Sequence, residues 1–301
     1  MQNPIAPLLD SANRIILGKQ HQIRLALCCL LARGHLLIED IPGVGKTTLA
    51  HTLAKLLGLH YQRIQFTSDI LPADIIGASI FDPEERSFKF HPGPIFNQMI
   101  LADEINRSTP KAQSALLEAM EEQQVTVEGK TYRLPSPFFV IATQNPAHQI
   151  GTFPLPESQL DRFLMRIELG YPDRNAEREL LSGQLRFHLI ENLQTELPPE
   201  QLKNIQKLVN TVHVSSALLD YLQNIITFTR EFPDYPCGLS PRAGLSLLNA
   251  AKAWAFMDSR DAVLPEDVQA VLPAVAGHRL RSASQDSGAV VAPILERVNV
   301  L

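Results

Sequence analysis

The chain has 301 residues, 45% hydrophobic and 20% charged, which is the composition of an ordinary globular protein with too many apolar residues for disorder. A formal net charge of −5, from 27 Lys and Arg against 32 Asp and Glu, supplies no bulk attraction to nucleic acid or anionic lipid, so no nucleic-acid partner is expected. Cys28, Cys29 and Cys237 form neither a disulfide framework nor a metal-binding pattern, and the longest apolar run (25–32) is too short to span a bilayer; the expectation is a cytoplasmic protein with no membrane span.

A length above the usual one-domain range predicts two domains. Apolar residues at helical spacing predict a helix over 20–33, then a short buried strand over 35–40. "IPGVGKTT" follows that strand and opens a helix that Gly58 closes, the position a phosphate-binding loop requires. Gly43 and Gly45 let backbone N–H groups turn inward, Lys46 suits the β and γ phosphates, and Thr47 suits Mg²⁺. The full pattern asks for glycine at position 40, where this chain has Asp40; its carboxylate must point away from the anion or be paired.

A strand over 62–66 precedes a hairpin over 78–91 that sets Phe88 and Phe90 on one face. "MILADE" (99–104) is an apolar strand ending in two acids: Asp103 is placed to hold Mg²⁺ through water, and Glu104 to polarise the attacking water. A helix starting at Pro110 leads to a second hairpin over 124–134, turning at Glu128-Gly129. The strand over 138–144 ends at Gln144-Asn145; lying between the first two strands, it would aim an amide at the γ phosphate.

Arg162 and Arg166 stand near the end of this region, suited either to a neighbouring subunit's γ phosphate or, for Arg162, to a salt bridge with Asp161 or Glu157. After "GYPD" (170–173) strand signals fade, and helices are expected over 175–189, 200–212, 216–231, 241–257 and 265–275. The expected division is an α/β core over 1–172 and a small all-helical lid over 173–301, with Arg242 opening a lid helix from which it could reach the phosphates and couple domain closure to hydrolysis. The nine histidines have no metal-ligand spacing.

The run "LADEINRSTPKAQSALLEAMEEQQVTVEGKTYRLPSPFFVIATQNP", with "RIQFTSDILPADIIG" before it and "GTFPLPESQLDRF" after it, closely resembles MoxR ATPases of the AAA+ superfamily, over roughly residues 10–280. The resemblance implies a P-loop AAA+ core, a parallel sheet flanked by helices with two hairpin inserts, followed by the helical lid. In its terms Pro42, Gly43, Val44, Gly45, Lys46, Thr47 and Thr48 look like Walker A, Asp103 and Glu104 like Walker B, and Asn145 like sensor 1. Arg162 resembles the arginine finger, with Arg166 as second choice; Arg242 in "SPRA" resembles sensor 2, and Gly18-Lys19 the adenine-side loop. The hairpins mark the clade shared with magnesium chelatase subunits and replicative helicases, and no specialised C-terminal extension is expected. The implied activity is Mg²⁺-dependent ATP hydrolysis in a homo-hexameric ring, with a chaperone-like role beside a von Willebrand factor A domain partner and a client the sequence does not identify. A nucleic-acid motor and a nucleotide-gated binding switch are the alternatives; the sparse cations of the hairpins disfavour the first, and Glu104 with Asn145 the second.

Overall fold

The computed structural model describes residues 4–145, 153, 155–182, 186–280 and 287–300, with 186–188 as backbone alone. The chain opens with helices α1 (Ala6–Ile15) and α2 (Gln20–Leu31), strand β1 (Leu36–Glu39), helix α3 (Lys46–Leu56) and strand β2 (Tyr61–Gln65). A short helix α4 (Pro72–Ile76) leads into the hairpin β3 (Gly77–Asp82) and β4 (Ser87–Pro92). Then come β5 (Met99–Asp103), α5 (Pro110–Glu122), the hairpin β6 (Gln124–Val127) and β7 (Lys130–Arg133), β8 (Phe139–Gln144), α6 (Glu157–Leu160) and β9 (Met165–Ile167). The described remainder is helical: α7 (Arg174–Ser182), α8 (Arg186–Glu191), α9 (Pro199–Asn210), α10 (Ser216–Glu231), α11 (Pro241–Met257), α12 (Pro265–Leu280) and α13 (Ser287–Arg297).

Five parallel strands form the central sheet in the order β2-β5-β8-β1-β9, so β8 separates the phosphate-loop strand from the strand that ends in the two acids. Alternation along these strands feeds two apolar clusters. Leu36 and Ile38, Met99 and Leu101, and Phe139 and Ile141 face α2, α3 and the C-terminal helices, while Leu37, Ile100, Ala102, Val140 and Ala142 face α5 and Phe163. Because helices α9 to α13 add residues to the first cluster, the lid is continuous with one layer of the core. Helix α5 illustrates the local logic: Thr109 caps its N-terminus, Pro110 fills the first turn, Leu116, Leu117 and Met120 are buried, and Gln123 ends it at φ +51°.

The second hairpin turns at Glu128 (φ +51°) and Gly129 (φ +77°), the two left-handed residues that a tight two-residue connection needs. Phe90 of the first hairpin stacks on Tyr132 of the second at 4.2 Å, which joins the two inserts, while Phe88 is exposed. The expected helix over 175–189 appears as α7 and α8, with 183–185 outside the described residues. Sequence periodicity also left out α1, β9 and α13, and ended α12 at 275 instead of Leu280; the additional turn carries Arg279 onto the core.

Candidate active site

The phosphate loop lies between β1 and α3. Gly43 (φ +86°) and Gly45 (φ +98°) occupy backbone conformations that side chains resist, and a Cβ added at either would meet no atom within 4 Å. Glycine is required there by conformation, with open space above the loop. That space is a cleft of about 360 Å³ lined by Pro42, Gly43, Gly45, Lys46, Thr47, Thr48, Arg63, Asp103, Glu104 and Asn145. Lys46 is buried and its Nζ donates to the Asp40 carbonyl at 2.6 Å. Burial lowers the Lys46 pKa, against the opposing pull of Asp40, Asp103 and Glu104.

Asp40, the departure from the usual loop pattern, points away from the cleft. Its Oδ2 accepts from the backbone N–H groups of Leu169 and Gly170, both at 2.6 Å, and Oδ1 from that of Ile41 at 2.8 Å. The carboxylate therefore ties the start of the phosphate loop to the segment that leaves β9 for the lid. Lys19, also buried, donates Nζ to the Tyr171 carbonyl of the same segment at 2.7 Å, so the Gly18-Lys19 turn abuts the core–lid connection.

The two acids are separately held. Asp103 Oδ1 accepts from Thr143 Oγ1 at 2.5 Å, and Oδ2 from Arg63 Nη2 at 2.6 Å and Nε at 3.1 Å. Glu104 has a left-handed backbone (φ +57°), which costs roughly 1–2 kcal/mol and swings its side chain off the strand line into the cleft. Its Oε1 accepts from Asn145 Nδ2 at 3.0 Å and Oε2 from Gln65 Nε2 at 2.8 Å, with Arg107 Nε 3.4 Å from Oε2. Asn145 is buried and fixed in turn by Asn106, which donates to its carbonyl at 3.0 Å. A carboxylate suited to act as general base and an amide suited to orient a water are thus hydrogen-bonded to each other in the cleft.

Thr47 and Asp103 offer hard oxygen donors to one cleft, which suits Mg²⁺, an ion that keeps most of its waters and takes few protein ligands beside phosphate. Among the described residues no group of three or more His, Cys, Asp or Glu side chains could hold a metal by itself.

The arginines stand elsewhere. Arg162 Nη2 lies 3.2 Å from Glu121 Oε2, and Arg242 Nη2 bonds Oε1 of the same carboxylate. Glu121 is near the end of α5, one residue after Met120, whose carbonyl accepts from His35 Nε2 at 3.2 Å. His35 immediately precedes β1, so this cluster is at the N-terminal edge of the sheet, whereas the cleft is at the C-terminal edge. The expectation that Arg242 reaches the phosphates of its own chain is corrected: where α11 begins is fixed by docking onto the loop before β9. Arg162 does form a salt bridge within its own chain, but with Glu121 instead of the Asp161 or Glu157 weighed as the alternative. Arg166, the second choice, is enclosed on β9 with a side chain 1% exposed, bonded to Glu39 at 2.7 Å and Glu168 at 2.9 Å; it offers nothing to a neighbour.

Sequence reading missed Arg63, Gln65 and Glu121. The first two had a signal, because they alternate with the buried Ile64 of β2 and Phe66 just after it. Nothing in the order of residues says that β2 lies beside β5.

Known proteins resemble this chain over most of its length. Residues 35–165 match the ATPase family associated with various cellular activities (AAA), and residues 228–297 match the AAA lid domain. The uncharacterized protein YeaC of Bacillus subtilis (strain 168) is 46% identical over 93% of this chain and 88% of its own length. Chaperone MoxR1 of Mycobacterium tuberculosis is 41% identical over 89% of this chain and 73% of its own. Protein MoxR of Paracoccus denitrificans is 35% identical, over 89% and 86%. A crystal structure of a candidate ATPase from Cytophaga hutchinsonii superposes with a TM-score of 0.88 at 38% identity, covering 99% of this chain and 95% of that one. With an AAA family match over residues 35–165, a lid match over 228–297 and MoxR-named relatives at 41% and 35% identity over 89% of its length, the chain belongs to the MoxR family of AAA+ ATPases.

Proposed function

We propose that the protein is a Mg²⁺-dependent ATPase, assembled as a cytoplasmic homo-hexameric ring, that remodels or matures client proteins with a partner bearing a von Willebrand factor A domain. The observation that carries the catalytic part is the separation of Arg162 and Arg242 from their own chain's phosphate loop. Arg162, half-buried, and Arg242, exposed, share one carboxylate at the opposite edge of the sheet and have no phosphate within their own subunit to act on; a second copy supplies one. Lys46 leaves the Asp40 carbonyl for the β and γ phosphates, and the open N–H groups of the loop from Gly43 to Thr48 hold the same anion at a helix start. Glu104 takes the proton of the attacking water while Asn145 orients it. Mg²⁺ held by Thr47 and Asp103 would neutralise charge on the transferred phosphoryl group. Arg162 and Arg242 of the adjacent subunit add positive charge where negative charge spreads in the transition state. Gly18 and Lys19, beside the core–lid connection, are assigned to the adenine side.

The chaperone part rests on the resemblance and on the naming of the Mycobacterium tuberculosis relative. A nucleic-acid motor is disfavoured because Lys89, one of the few hairpin cations, is already bonded to Asp82 at 2.8 Å and Glu85 at 2.6 Å. Two measurements test the reading. Turnover per subunit should rise with protein concentration as the ring assembles, and a rate independent of concentration down to the monomer removes the intersubunit site. Affinity capture with Glu104→Gln in ATP should retain a von Willebrand factor A domain protein, whereas recovery of nucleic acid alone would favour the motor.

A further inference from the structure

The lid grips the turn that carries Arg162 through one buried guanidinium. Arg279, at the end of α12, has a side chain 6% exposed, and each of its five N–H donors has an acceptor. Its Nε donates to Asp161 Oδ1 at 2.7 Å. Nη2 donates to the carbonyls of Asp161 at 3.1 Å and Phe163 at 2.7 Å, and Nη1 to the carbonyl of Leu164 at 3.3 Å and to that of Val275 on its own helix. The other carboxylate oxygen of Asp161 accepts from Ser240 Oγ at 3.1 Å, and Ser240 is the N-cap of α11, two residues before Arg242. Residues on both sides of Arg162 are therefore held from two lid helices. The three core carbonyls lie in the turn between α6 and β9, outside the residues of either element.

The geometry points to Arg279 as the positioning residue for the trans-acting arginines: it binds the Asp161–Leu164 turn to the lid, so that Arg162 and Arg242 meet the neighbouring subunit's nucleotide as one rigid pair. This rests on the intersubunit reading above. A planar fork with five donors can satisfy a carboxylate and several carbonyls at once; an ammonium with three cannot. Placement matters at this scale, because an error of about 1 Å in a group that acts on the transition state costs on the order of 100-fold in rate. The four of these bonds that cross to the core make any movement of the lid a movement of both arginines, which links the nucleotide state of one subunit to catalysis in the next.

The test separates positioning from plain stability by mixing subunits of the full chain. Arg279→Lys should bind a fluorescent ATP analogue within about threefold of wild type while its own turnover falls roughly 10- to 100-fold, with KM little changed, because only the transition-state contact is lost. Its nucleotide site remains sound, so it should regain activity beside Glu104→Gln subunits, which cannot hydrolyse ATP but present an intact arginine turn. Arg162→Ala mixed with Glu104→Gln serves as the reference and should recover as well. Recovery in the reference but none with Arg279→Lys overturns the role of Arg279 and leaves the intersubunit site standing. Recovery in neither overturns the intersubunit reading and this proposal with it, and wild-type turnover of Arg279→Lys alone also overturns the proposal. Where Arg279→Lys loses nucleotide binding through misfolding, the milder pair Asp161→Asn with Ser240→Ala loosens the same turn. That double variant is expected to lose several-fold in turnover and to recover on mixing, and wild-type turnover in it decides against the proposal.

Discussion

At the C-terminal edge of the sheet, the nucleotide cleft is assembled from strand ends and one helix start: Lys46 and Thr47 after β1, Asp103 and Glu104 at β5, Asn145 after β8. At the N-terminal edge, Arg162 and Arg242 come from the core and the lid and meet only at Glu121. The first edge is built by short segments whose roles are local to each strand end. The second is built by long-range side-chain contacts, with Arg279, Ser240 and Asp161 as its fasteners. On the intersubunit reading proposed above, a site divided in this way is complete only when two copies meet, and each edge can be damaged without touching the other.

Arg162→Ala is expected to have the largest effect, a loss of roughly 10³- to 10⁵-fold in turnover with ATP affinity retained. Steady-state hydrolysis and equilibrium nucleotide binding check it together, and a variant that keeps its rate would erase the division between the edges. Glu104→Gln damages the opposite edge: turnover should fall roughly 10²- to 10⁴-fold while ATP stays bound, read by single-turnover hydrolysis. The two variants should complement each other when mixed, which sharpens the comparison further.

Acid should weaken the arginine edge through His35. Its Nδ1 accepts from the Val140 N–H at 3.0 Å and its Nε2–H donates to Met120, so the ring is neutral in the fold, and burial pushes its pKa down to about 4. Between the ordinary value of about 6.5 and the folded value, the unfolded chain binds the proton and the folded chain does not. The stability from neutral His35 is therefore complete above about pH 6.5 and is lost as pH falls toward 4, by an amount of a few kcal/mol. Denaturant titrations across this window should show the decline, and a His35→Gln variant should show a flatter one.

Asp40→Asn is expected to have the smallest effect on function. Lys46 uses the backbone oxygen of Asp40, so nucleotide affinity should change little. The amides of Leu169 and Gly170 in the core–lid connection lose part of their acceptor, at about 1–3 kcal/mol of stability. Thermal unfolding beside a nucleotide titration measures both. A large loss of affinity would mean that the carboxylate serves the phosphate site after all.

The cleft was legible because each of its parts is written contiguously. Gly43 and Gly45 announce backbone conformations that other residues resist, and an apolar run ending in Asp103-Glu104 announces a buried strand whose acids emerge at its end. Periodicity also recovered β1, β2, β5, β8, both hairpins and, of the lid, α9 to α11 to within a few residues, with α7 and α8 expected as one helix and α12 ended five residues early. Short elements escaped it: β9 spans three residues, too few to display a period, and its Arg166 reads as a surface charge until Glu39 and Glu168 are found around it.

By itself the sequence determined the nucleotide chemistry, the alternation of strands and helices, and a lid of helices after the core, because these depend on spacing within single segments. The tertiary structure alone decided that Asp40 faces the core–lid connection, that Arg63 and Gln65 brace the two acids, and that Arg242 stands beside Arg162 instead of over its own phosphate loop. Those facts depend on which segments pack together. A side chain carries its charge in the sequence, but it acquires its partner only when burial and sheet order bring distant segments within hydrogen-bonding distance.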